Sequence, residues 1–577
     1  MFVRRVDNCD PRVSGPIAAQ FGRSRRSSLV WFNPSVADKR LTGALMLTAM
    51  GLALGACGGG PTSSVPAALE APHFVNDSAQ SGIDHVYDGE FEFFVGGGIA
   101  AFDCNDDGRD ELFIAGGSNP SALYRNDSPL GGQLRFVAMP SPTTDLIAVT
   151  GAYPLDIDSD GLVDLAVLRR GVSVMLRGLG DCLFEGANQQ LGLADNGWTA
   201  AFSATWEGVN QLPTLAFGHY LKPDTNECAD SVLVRPAPGG STYGPPSSLS
   251  PGYCTLSVLF SDWSRSGRRD LRMANDRHYY TDGQDQLWQV TPGQAPRQYT
   301  ESDGWHSLRL WGMGIASQDV TGDGLPEVFV TSQGDNKLQT LENGTSAPAY
   351  QDIALSSGVT AQRPFTGGDV LPSTAWHPEF EDVNNDGLVD LFVSKGNVEA
   401  QIDYATRDPN NLFIGQPDGT FLEGAEAAGI VDFDRSRGAT LADLNLDGLL
   451  DLVVVNRRTN VAVWRNVGTG DAAAPQPMGH WLAIELHQPA PNVDAIGAWV
   501  EMRIGQRVIT REVTIGGGHA GGKLGWIHLG LGSAKEVEVR IRWPDGFTGP
   551  WMTAQADEFV TIQRGATEPL AWQPANG

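Results

Sequence analysis

One arrangement of oxygen-bearing side chains recurs along this chain. Five copies start at Asp103, Asp156, Asp319, Asp382 and Asp443 and read DCNDDGRDEL, DIDSDGLVDL, DVTGDGLPEV, DVNNDGLVDL and DLNLDGLLDL. Acidic or amide side chains stand at positions one, three and five (Thr at position three of the third copy), Gly at position six and a carboxylate at position nine. Alternating positions direct oxygens into one small volume, which suits a hard cation. We therefore expect about five structural Ca²⁺ sites, each with about 6 to 8 oxygen ligands.

An EF-hand is excluded for these loops. Position twelve, where that motif carries Glu, is Ile or Val in every copy, and strand patterns follow the loops. A metal-free Asx-rich turn is the alternative for any single copy, because Asp, Asn and Gly dominate turns. Five copies with one spacing favour calcium. The predicted metal ligands are Asp103, Asn105, Asp107, Glu111, Asp156, Asp158, Asp160, Asp164, Asp319, Thr321, Asp323, Glu327, Asp382, Asn384, Asp386, Asp390, Asp443, Asn445, Asp447 and Asp451.

Two degraded copies lie between the second and third complete ones. DWSRSGRRDL from Asp262 keeps the acids at positions one and nine, whereas WEGVNQLPTL from Trp206 keeps only the spacing. The seven starts lie fifty to sixty-three residues apart. A fixed period of this order is typical of an array of β units, above all a propeller. The sequence therefore predicts an all-β fold in which unit four binds metal weakly or not at all.

The repeats resemble FG-GAP/VCBS repeats, the calcium-loop blades of integrin-type β-propellers. In that family small residues precede the loop, and here Gly98, Gly151, Gly314 and Gly438 each stand five positions before the first Asp. The later segments GHWLAIELHQ, NVDAIGAWVEMRIG, REVTIGGG and HLGLGSAKEVEVRIRWPDG are similar to the ASPIC/UnbV domain, which follows such propellers in the cartilage acidic protein family and its bacterial relatives. One turn departs from the family pattern, because His519 is followed by AGGK and not by an aromatic residue and Ser-Gln.

The resemblance implies a seven-bladed integrin-type β-propeller over residues 71–470, a small antiparallel β domain over 479–565 and a tail at 566–577. Apolar and polar residues alternate in WLAIELH, WVEMRI and VEVRIRW, as strands with one buried face require. We expect this domain to pack on one end of the propeller. Its predicted core contains Trp481, Trp499, Trp526 and Trp543, with carbohydrate stacking by one of them as the alternative.

In FG-GAP propellers the cation loops lie on the lower face of the ring. The resemblance therefore implies that residues before the first strand and after the second strand of each blade surround the upper mouth of the central channel. Basic and aromatic side chains predominate there, which favours an anionic glycan or peptide ligand. Solvated loop residues paired with nearby acids are the alternative. The predicted funnel residues are Trp376, His377, Arg437, His219, Asn275, Asp276, Lys395 and Arg457.

The N-terminal residues indicate export. Lys39 and Arg40 precede the apolar run LTGALMLTAMGLALGA, which is short for a membrane span but suits a signal peptide. The segment LGAC resembles a bacterial lipobox, so we predict a leader at 1–57, lipidation of Cys57 and a flexible tether at 58–70. The predicted location is the bacterial cell envelope, at the outer membrane or cell surface of a Gram-negative cell. Residues 1–35 do not fit the pattern and are interpreted as a misassigned start.

Four cysteines follow the leader, an even number that suits disulfides in an exported chain. Cys228 and Cys254 bracket an insertion and form the predicted disulfide. Pairing of Cys104 with Cys182 is the weaker alternative, because Cys104 lies inside a cation loop.

A formal net charge of −28 makes nucleic acid an unfavourable partner. The chain carries no HExxH, GxSxG or P-loop motif, and no catalytic residue is predicted. The sequence favours a membrane-anchored binding or adhesion module with a glycan or protein ligand. The alternatives are a hydrolase or lyase with its site in the upper funnel, and a structural scaffold of an envelope complex.

Overall fold

The computed structural model describes residues 67–276, 282–399 and 401–574. In these residues the helical segments are short: α-helices at Asn188–Leu191, Ala354–Ser357 and Ala425–Ala428, and 3-10 helices at Phe91–Phe93, Glu301–Asp303 and Gly344–Ser346. No helix among them is long and apolar enough to cross a membrane. The predicted leader, Cys57 and most of the predicted tether lie outside the described residues.

The blades are antiparallel sheets, each built from consecutive strands. Strand β1 (His73–Asn76) precedes blade one, which contains β2 (Ile99–Phe102), β3 (Glu111–Ile114), β4 (Ala122–Asn126) and β5 (Phe136–Ala138). Blade two contains β6 (Val149–Leu155), β7 (Asp164–Val172), β8 (Val174–Gly178) and β9 (Phe184–Gly186). Blade three contains β10 (Asn196–Thr205), β11 (Thr214–His219), β12 (Ser231–Val234) and β13 (Ser247–Leu249).

The remaining blades repeat this pattern. Blade four contains β14 (Thr255–Ser261), β15 (Asp270–Asn275), β16 (Gln286–Gln289) and β17 (Arg297–Gln298). Blade five contains β18 (Gly312–Gln318), β19 (Glu327–Ser332), β20 (Lys337–Leu341) and β21 (Tyr350–Asp352). Blade six contains β22 (Ala375–Glu381), β23 (Asp390–Lys395), β24 (Asn411–Gly415) and β25 (Phe421–Glu423), and blade seven contains β26 (Arg435–Ala442), β27 (Asp451–Arg457) and β28 (Ala462–Gly468).

The N-terminal strand completes the ring. β1 pairs antiparallel with β28 as the fourth strand of blade seven, with Phe74 opposite Asn466. The first strands of successive blades contact one another in chain order, and β26 of blade seven contacts β2 of blade one. The predicted seven-bladed propeller is confirmed. Strands near the channel, such as β6 and β23, are buried along their whole length because each blade is covered by its neighbours.

The C-terminal domain is a two-sheet β-sandwich. Its strands are β29 (His480–His487), β30 (Trp499–Ile504), β31 (Arg507–Glu512), β32 (Gly522–Leu524), β33 (Ile527–Gly532), β34 (Glu536–Arg542), β35 (Met552–Gln555), β36 (Glu558–Gln563) and β37 (Leu570–Trp572). One sheet has the order β33-β29-β36-β37 and the other β31-β30-β34-β35. β29 and β36 are parallel, which differs from the expected all-antiparallel domain. The long connection between these two strands, which passes through the second sheet, permits this pairing.

The tryptophan prediction needs correction for the same domain. Trp543 lies in the sandwich core with Val500 and Val560. Trp481 and Trp526 lie outside that core, where they pack on Phe559 of the same domain and on Leu446 of the propeller. Trp499 receives the guanidinium of Arg265 over its ring at 4.6 Å. Alternation in the sequence marks a buried face, but it does not say whether the face meets its own domain or a neighbouring one.

Candidate metal centres and the central channel

The five acidic loops share one backbone geometry. In each, the Asp at position one accepts a hydrogen bond from the N–H of the Gly at position six, at 2.6 to 3.0 Å. The residue at position four has a positive φ in every loop, including Leu446 at 57°. This fold of the backbone turns the side chains of positions one, three and five toward the same side of the loop.

The carboxylate at position nine ties each loop to its blade. It accepts the N–H of the residue at position two at 2.8 to 3.2 Å in all five loops. Asp164, Asp390 and Asp451 also accept an N–H from the third strand of their blades, at 2.7 to 2.9 Å. The predicted ligand positions are therefore brought together in each blade.

These acids are poorly accommodated without a cation. Burial, together with the charge of the nearby Asp103, raises the pKa of Glu111 to about 9. Burial likewise raises the pKa of Asp164 to about 8 and that of Asp447 to about 6. Neutral acids are favoured because burial removes water from the charged form and neighbouring carboxylates repel it.

Several side-chain oxygens of these loops have no hydrogen-bond donor within the described ranges, and a hard cation could coordinate them. Asp158 Oδ1, Asn445 Oδ1 and Asp447 Oδ2 are buried without a hydrogen bond among the described residues. In blade two, carboxylate oxygens of Asp156, Asp158 and Asp164 lie within 4.8 Å of one another. All are oxygen donors, the type that Ca²⁺ prefers. The residues present therefore fit calcium.

Blades three and four neutralise their loops with arginine. In blade four, Asp262 still accepts the N–H of Gly267 at 2.6 Å, but Asp270 at position nine is bound by Arg268 at 2.9 Å, with Trp263 Nε1 at 2.9 Å. In blade three, Glu207 accepts hydrogen bonds from Thr214 Oγ1 and Arg235 Nε, both at 2.7 Å. In both blades an arginine thus supplies positive charge to a carboxylate of the loop.

The C-terminal domain covers the lower face of the propeller. It contacts six of the seven loops through Trp526 Nε1 to Gly108 O (3.1 Å), Asn492 N to Ser159 Oγ (3.0 Å), Arg269 to Gly497 O (2.9 Å), Thr510 Oγ1 to Asp319 (3.1 Å), His528 Nε2 to Asn385 Oδ1 (2.6 Å) and the packing of Trp481 on Leu446. These six loops thus lie between the two domains.

A glycine-rich turn of the C-terminal domain enters the central channel. Residues 515–521 form β-bridges with the first strands of blades two to five, and β32 then pairs in parallel with β2. Gly516, Gly517 and Gly518 have positive φ values, which Gly adopts without strain. A Cβ at Gly98 or Gly151 would overlap the carbonyl oxygen of Ala520. The small residues before the loops therefore make room for this turn, which we call the channel plug (residues 515–524).

An ion cluster fixes the lower part of the channel plug. Lys523 lies 2.7 Å from Glu379 and 2.5 Å from Glu381, both on β22. Arg511 binds Glu381 as well, and these two cations bring the pKa of Glu381 to about 2 although burial alone would raise it. The cluster lines a cavity of about 160 Å³ beside the channel plug. His377 Nε2 lies 3.3 Å from Glu379 at its edge.

His519 seals the upper part of the channel. Its N–H donates to His377 Nδ1 at 3.1 Å, and its ring stands 5.0 Å from that of Trp376. The N–H of Gly96 donates to His519 Nε2 at 3.2 Å, so Nδ1 carries the proton and donates to Met313 O at 3.1 Å. Burial lowers the pKa of His519 to about 3 and keeps the ring neutral. The residue that departs from the family pattern is thus a packed component of the channel.

The predicted funnel is not an open site. Its residues surround the upper end of the channel as expected, but all eight are buried: Trp376, Arg437 and Lys395 at 0% exposure, Asn275 and Arg457 at 1%, His377 at 3%, and His219 and Asp276 at 8%. The channel plug from below and residues 94–98 from above fill the space that the sequence pattern left empty. The order of blade residues predicts the position of the channel mouth but not what enters it.

The cations of this set have internal partners. Lys395 lies 3.0 Å from Asp408, His219 lies 2.7 Å from Asp195, and Arg457 pairs with Glu399. Arg437 stacks on Trp376 at 4.1 Å and donates to four backbone carbonyls, those of Phe94, Ser436, Asn397 and Val398. Carboxylates therefore balance the charges of Lys395, His219 and Arg457, whereas backbone carbonyls and Trp376 hold Arg437 inside the protein.

The upper face exposes apolar side chains around the closed mouth. Phe91 is 43% exposed, Ile147 60% and Val172 48%. Phe91 contacts Trp198 edge to face at 5.8 Å, and Trp198 pairs in register with Arg170 two residues before Val172. These residues form one patch at blades one to three, beside Arg170 and Glu92. We call it the upper-face patch.

Both cysteine pairs form disulfides. Cys228 and Cys254, the predicted pair, have Cα atoms 4.7 Å apart. Cys104 and Cys182, the weaker alternative, are also bonded, with Cα atoms 4.8 Å apart. Cys104 stands at position two of loop one, and its Sγ lies 3.1 Å from the predicted ligand Glu111 Oε2.

Sequence reasoning missed Lys523, Arg511 and Glu381, which hold the two domains together. Lys523 belongs to the AGGK segment that departs from the family pattern, and this departure was the available signal. The pairing of Lys523 with Glu379 and Glu381 joins residues more than a hundred positions apart, which no local pattern reveals.

Comparison with known families agrees with this architecture. A family model described as FG-GAP-like repeat matches residues 103–203, 319–393 and 382–454. A second, described as ASPIC and UnbV, matches residues 488–569. The matched repeats contain all five acidic loops.

Curated relatives are similar over a limited region. Cartilage acidic protein 1 of Mus musculus is 29% identical over 161 residues, and that of Xenopus tropicalis is 27% identical over 198 residues. These alignments cover 25% and 31% of this chain, and 21% and 28% of the relatives. The chain thus spans less than a third of the length of these relatives.

Solved structures resemble the chain at low TM-scores. BBS1N in complex with ARL6DN aligns with a TM-score of 0.39 at 12% identity, covering 72% of this chain and all of that chain. An Agrocybe aegerita lectin that recognises non-reducing terminal N-acetylglucosamine aligns with a TM-score of 0.38 at 13% identity, covering 65% of this chain and 92% of that chain. On the evidence of its loops, its ring of blades and the matching family models, this chain is an FG-GAP-like repeat propeller protein with a C-terminal ASPIC/UnbV domain.

Proposed function

We propose that this protein is an exported, lipid-anchored, calcium-stabilised propeller that binds a glycan or protein ligand at the cell envelope. The observation that supports the binding role is the division of the propeller into two faces. The C-terminal domain covers the lower face and the channel plug fills the channel, whereas the upper-face patch is exposed. We therefore place the ligand-binding site on the upper face and not inside the channel.

Calcium has a structural role in this proposal. In each loop, the side chains at positions one, three, five and nine would hold the ion, which supplies positive charge to buried carboxylates. The chain itself positions these ligands through the hydrogen bonds of positions one and nine to the backbone. Because the loops lie against the C-terminal domain, the ions would also stabilise the contact between domains.

Export and anchoring are supported by the leader and by the cysteines. The lipobox-like segment ending at Cys57 precedes the described residues, and both pairs of later cysteines form disulfides, as is common in exported proteins. The first described residues lie on the lower face, where the N–H of Leu69 donates to Asp386 at 2.8 Å.

The anchor is tested by expression of the full chain in a Gram-negative host. The unmodified protein should enter the detergent phase of a Triton X-114 separation and incorporate labelled palmitate, whereas Cys57→Ser should do neither. A variant at Cys9, Cys9→Ser, is the matched control and should behave like the unmodified protein. Equal partition of the Cys57 variant into detergent contradicts lipidation at this residue.

The binding face is tested on a glycan array with the mature chain. A double variant, Phe91→Ser with Val172→Ser, should lose bound glycans because it removes two apolar side chains that the upper face exposes. Leu355→Ser removes an apolar side chain that is 85% exposed on the outer side of blade five, and it should bind normally. Binding that survives the double variant moves the site off the upper face, and an array without bound glycan contradicts a glycan ligand.

A further inference from the structure

Loop one differs from the other acidic loops at position two. In blade five this position holds Val320, which is partly buried against the blade core. In blades two, six and seven it holds Ile157, Val383 and Leu444, which are 1%, 1% and 0% exposed and pack into the blade cores. Their burial holds in place the N–H group that binds the carboxylate of position nine. In loop one the residue at position two is Cys104, only half-buried, and a disulfide replaces the apolar contact.

The disulfide lies directly against the ninth ligand of loop one. Glu111 Oε2 accepts the N–H of Cys104 at 3.0 Å. The same oxygen lies 3.1 Å from Cys104 Sγ and 3.4 Å from Cys182 Sγ. Glu111 is fully buried, so the two sulfurs form part of the wall that fixes its carboxylate.

The partner cysteine anchors this wall to the next blade. Cys182 lies in the turn between β8 and β9 of blade two, is 5% exposed, and its N–H donates to Cys104 O at 3.0 Å. Loop one is thereby joined to blade two on one side, while Trp526 of the C-terminal domain holds Gly108 on the other. No other acidic loop contains a cysteine.

We propose that the Cys104–Cys182 disulfide is a positioning element of the loop-one cation site, so that the redox state of this disulfide sets the calcium affinity of that loop alone. The inference rests on the proposed calcium function. A dithiol reductant cleaves the Sγ–Sγ bond by thiolate attack, leaves two protein thiols and becomes a disulfide itself. Position two then loses its covalent link to blade two, and Glu111 loses the two fixed sulfur atoms that orient its carboxylate. Loss of an outer partner of a metal ligand typically weakens metal binding by about 10- to 100-fold.

The test measures terbium binding to the mature chain, with Tb³⁺ as a luminescent substitute for Ca²⁺. Trp526 lies beside loop one, so the luminescence lost in Trp526→Phe reports that loop. Cys104→Ala with Cys182→Ala should weaken this component at least tenfold and leave the other components unchanged. Reduction of the unmodified protein by dithiothreitol should give the same result. Cys104→Val with Cys182→Ala should recover part of the affinity, because Val restores an apolar anchor at position two.

Cys228→Ala with Cys254→Ala is the matched control, because it removes the other disulfide far from any acidic loop. An unchanged loop-one affinity in the Cys104 and Cys182 double variant overturns the inference. Equal weakening of all components, together with a lower melting temperature at saturating calcium, also overturns it, because the disulfide would then act only on global stability. Absence of any terbium or calcium binding by the unmodified protein instead refutes the proposed calcium function itself.

Discussion

The loops of blades four and seven occupy equivalent places in the propeller but balance their charges differently. Both have a position-one Asp that accepts the N–H of Gly at position six, at 2.6 and 2.7 Å. In blade four, Arg268 binds the position-nine carboxylate of Asp270. In blade seven, burial and the neighbouring Asp447 both raise the pKa of Asp451.

This difference separates the backbone of the loop from its metal-binding capacity. Arg265 and Leu446, at position four of the two loops, both have positive φ, although neither is Gly or Asn. The turn is therefore maintained by its hydrogen bonds and by Gly at position six, with or without acids at positions three and five. The buried carboxylates need a nearby positive charge to stay ionised, and in blade four Arg268 provides it. Five blades should therefore depend on calcium and two should not.

Chelation should produce the largest effect. A site at a calcium concentration 100 times its Kd contributes about 2.7 kcal/mol to the free energy of unfolding, and five such sites add up. Addition of EDTA should therefore lower the melting temperature more than any single substitution, and excess Ca²⁺ should restore it. Differential scanning fluorimetry measures both steps. A melting temperature that EDTA does not change would refute the division between acidic and arginine-bound loops.

Removal of Arg268 should have an intermediate effect that calcium does not alter. Asp270 is 1% exposed, and Arg268→Ala would leave its carboxylate with neutral donors, which are Trp263 Nε1, Tyr299 Oη and the N–H of Val290. Loss of one partner of a buried ion pair costs about 3 to 5 kcal/mol, and the partial exposure of Arg268 reduces this to about 2 kcal/mol. Urea unfolding with and without EDTA should give the same difference from the unmodified protein.

Arg297→Ala is the matched control for this substitution. Arg297 pairs with Asp303 on the surface of the same blade, at 2.9 Å and with its side chain 51% exposed. Solvent screens such an exposed pair, so its loss should change the free energy of unfolding much less than the loss of Arg268. If the cost of Arg268→Ala appeared only in the presence of calcium, blade four would bind metal after all.

Much of the architecture follows from the sequence because it is encoded locally. Each loop carries its ligands, the turn Gly and the following strand within about a dozen residues. The number of blades, the position of each loop and the missing acids of blades three and four can therefore be predicted from the sequence. The Cys228–Cys254 bond was legible as well, because the two cysteines flank one insertion.

The structure of the channel could not be predicted in the same way, because it depends on contacts between residues far apart in the sequence. The pattern placed Trp376, His377 and Arg437 at the channel mouth but could not reveal that a turn from residues 515–524 fills it. In the sequence, Gly98 and Gly151 match a family pattern without a physical reason. The structure gives the reason, because Ala520 O lies where a Cβ at either position would stand. A glycine in the sequence can indicate that another segment packs closely on the backbone, but it does not identify that segment.

Arg177 offers the finest test of the comparison, because blade two combines both solutions. Arg177 lies 2.8 Å from Asp158 and 2.8 Å from Asp160, at positions three and five of a complete acidic loop. Its positive charge competes with a cation for these ligands, and at this partly exposed site the repulsion amounts to about 1 kcal/mol. Arg177→Ala should therefore raise the calcium affinity of loop two about fivefold, as measured by titration calorimetry. Arg125→Ala removes an equally exposed arginine that pairs with Asp127 away from the predicted ligands, and it should change nothing. A weaker affinity in the Arg177 variant would mean that this arginine organises the loop and does not compete with the ion, so that blade two would belong with blades three and four.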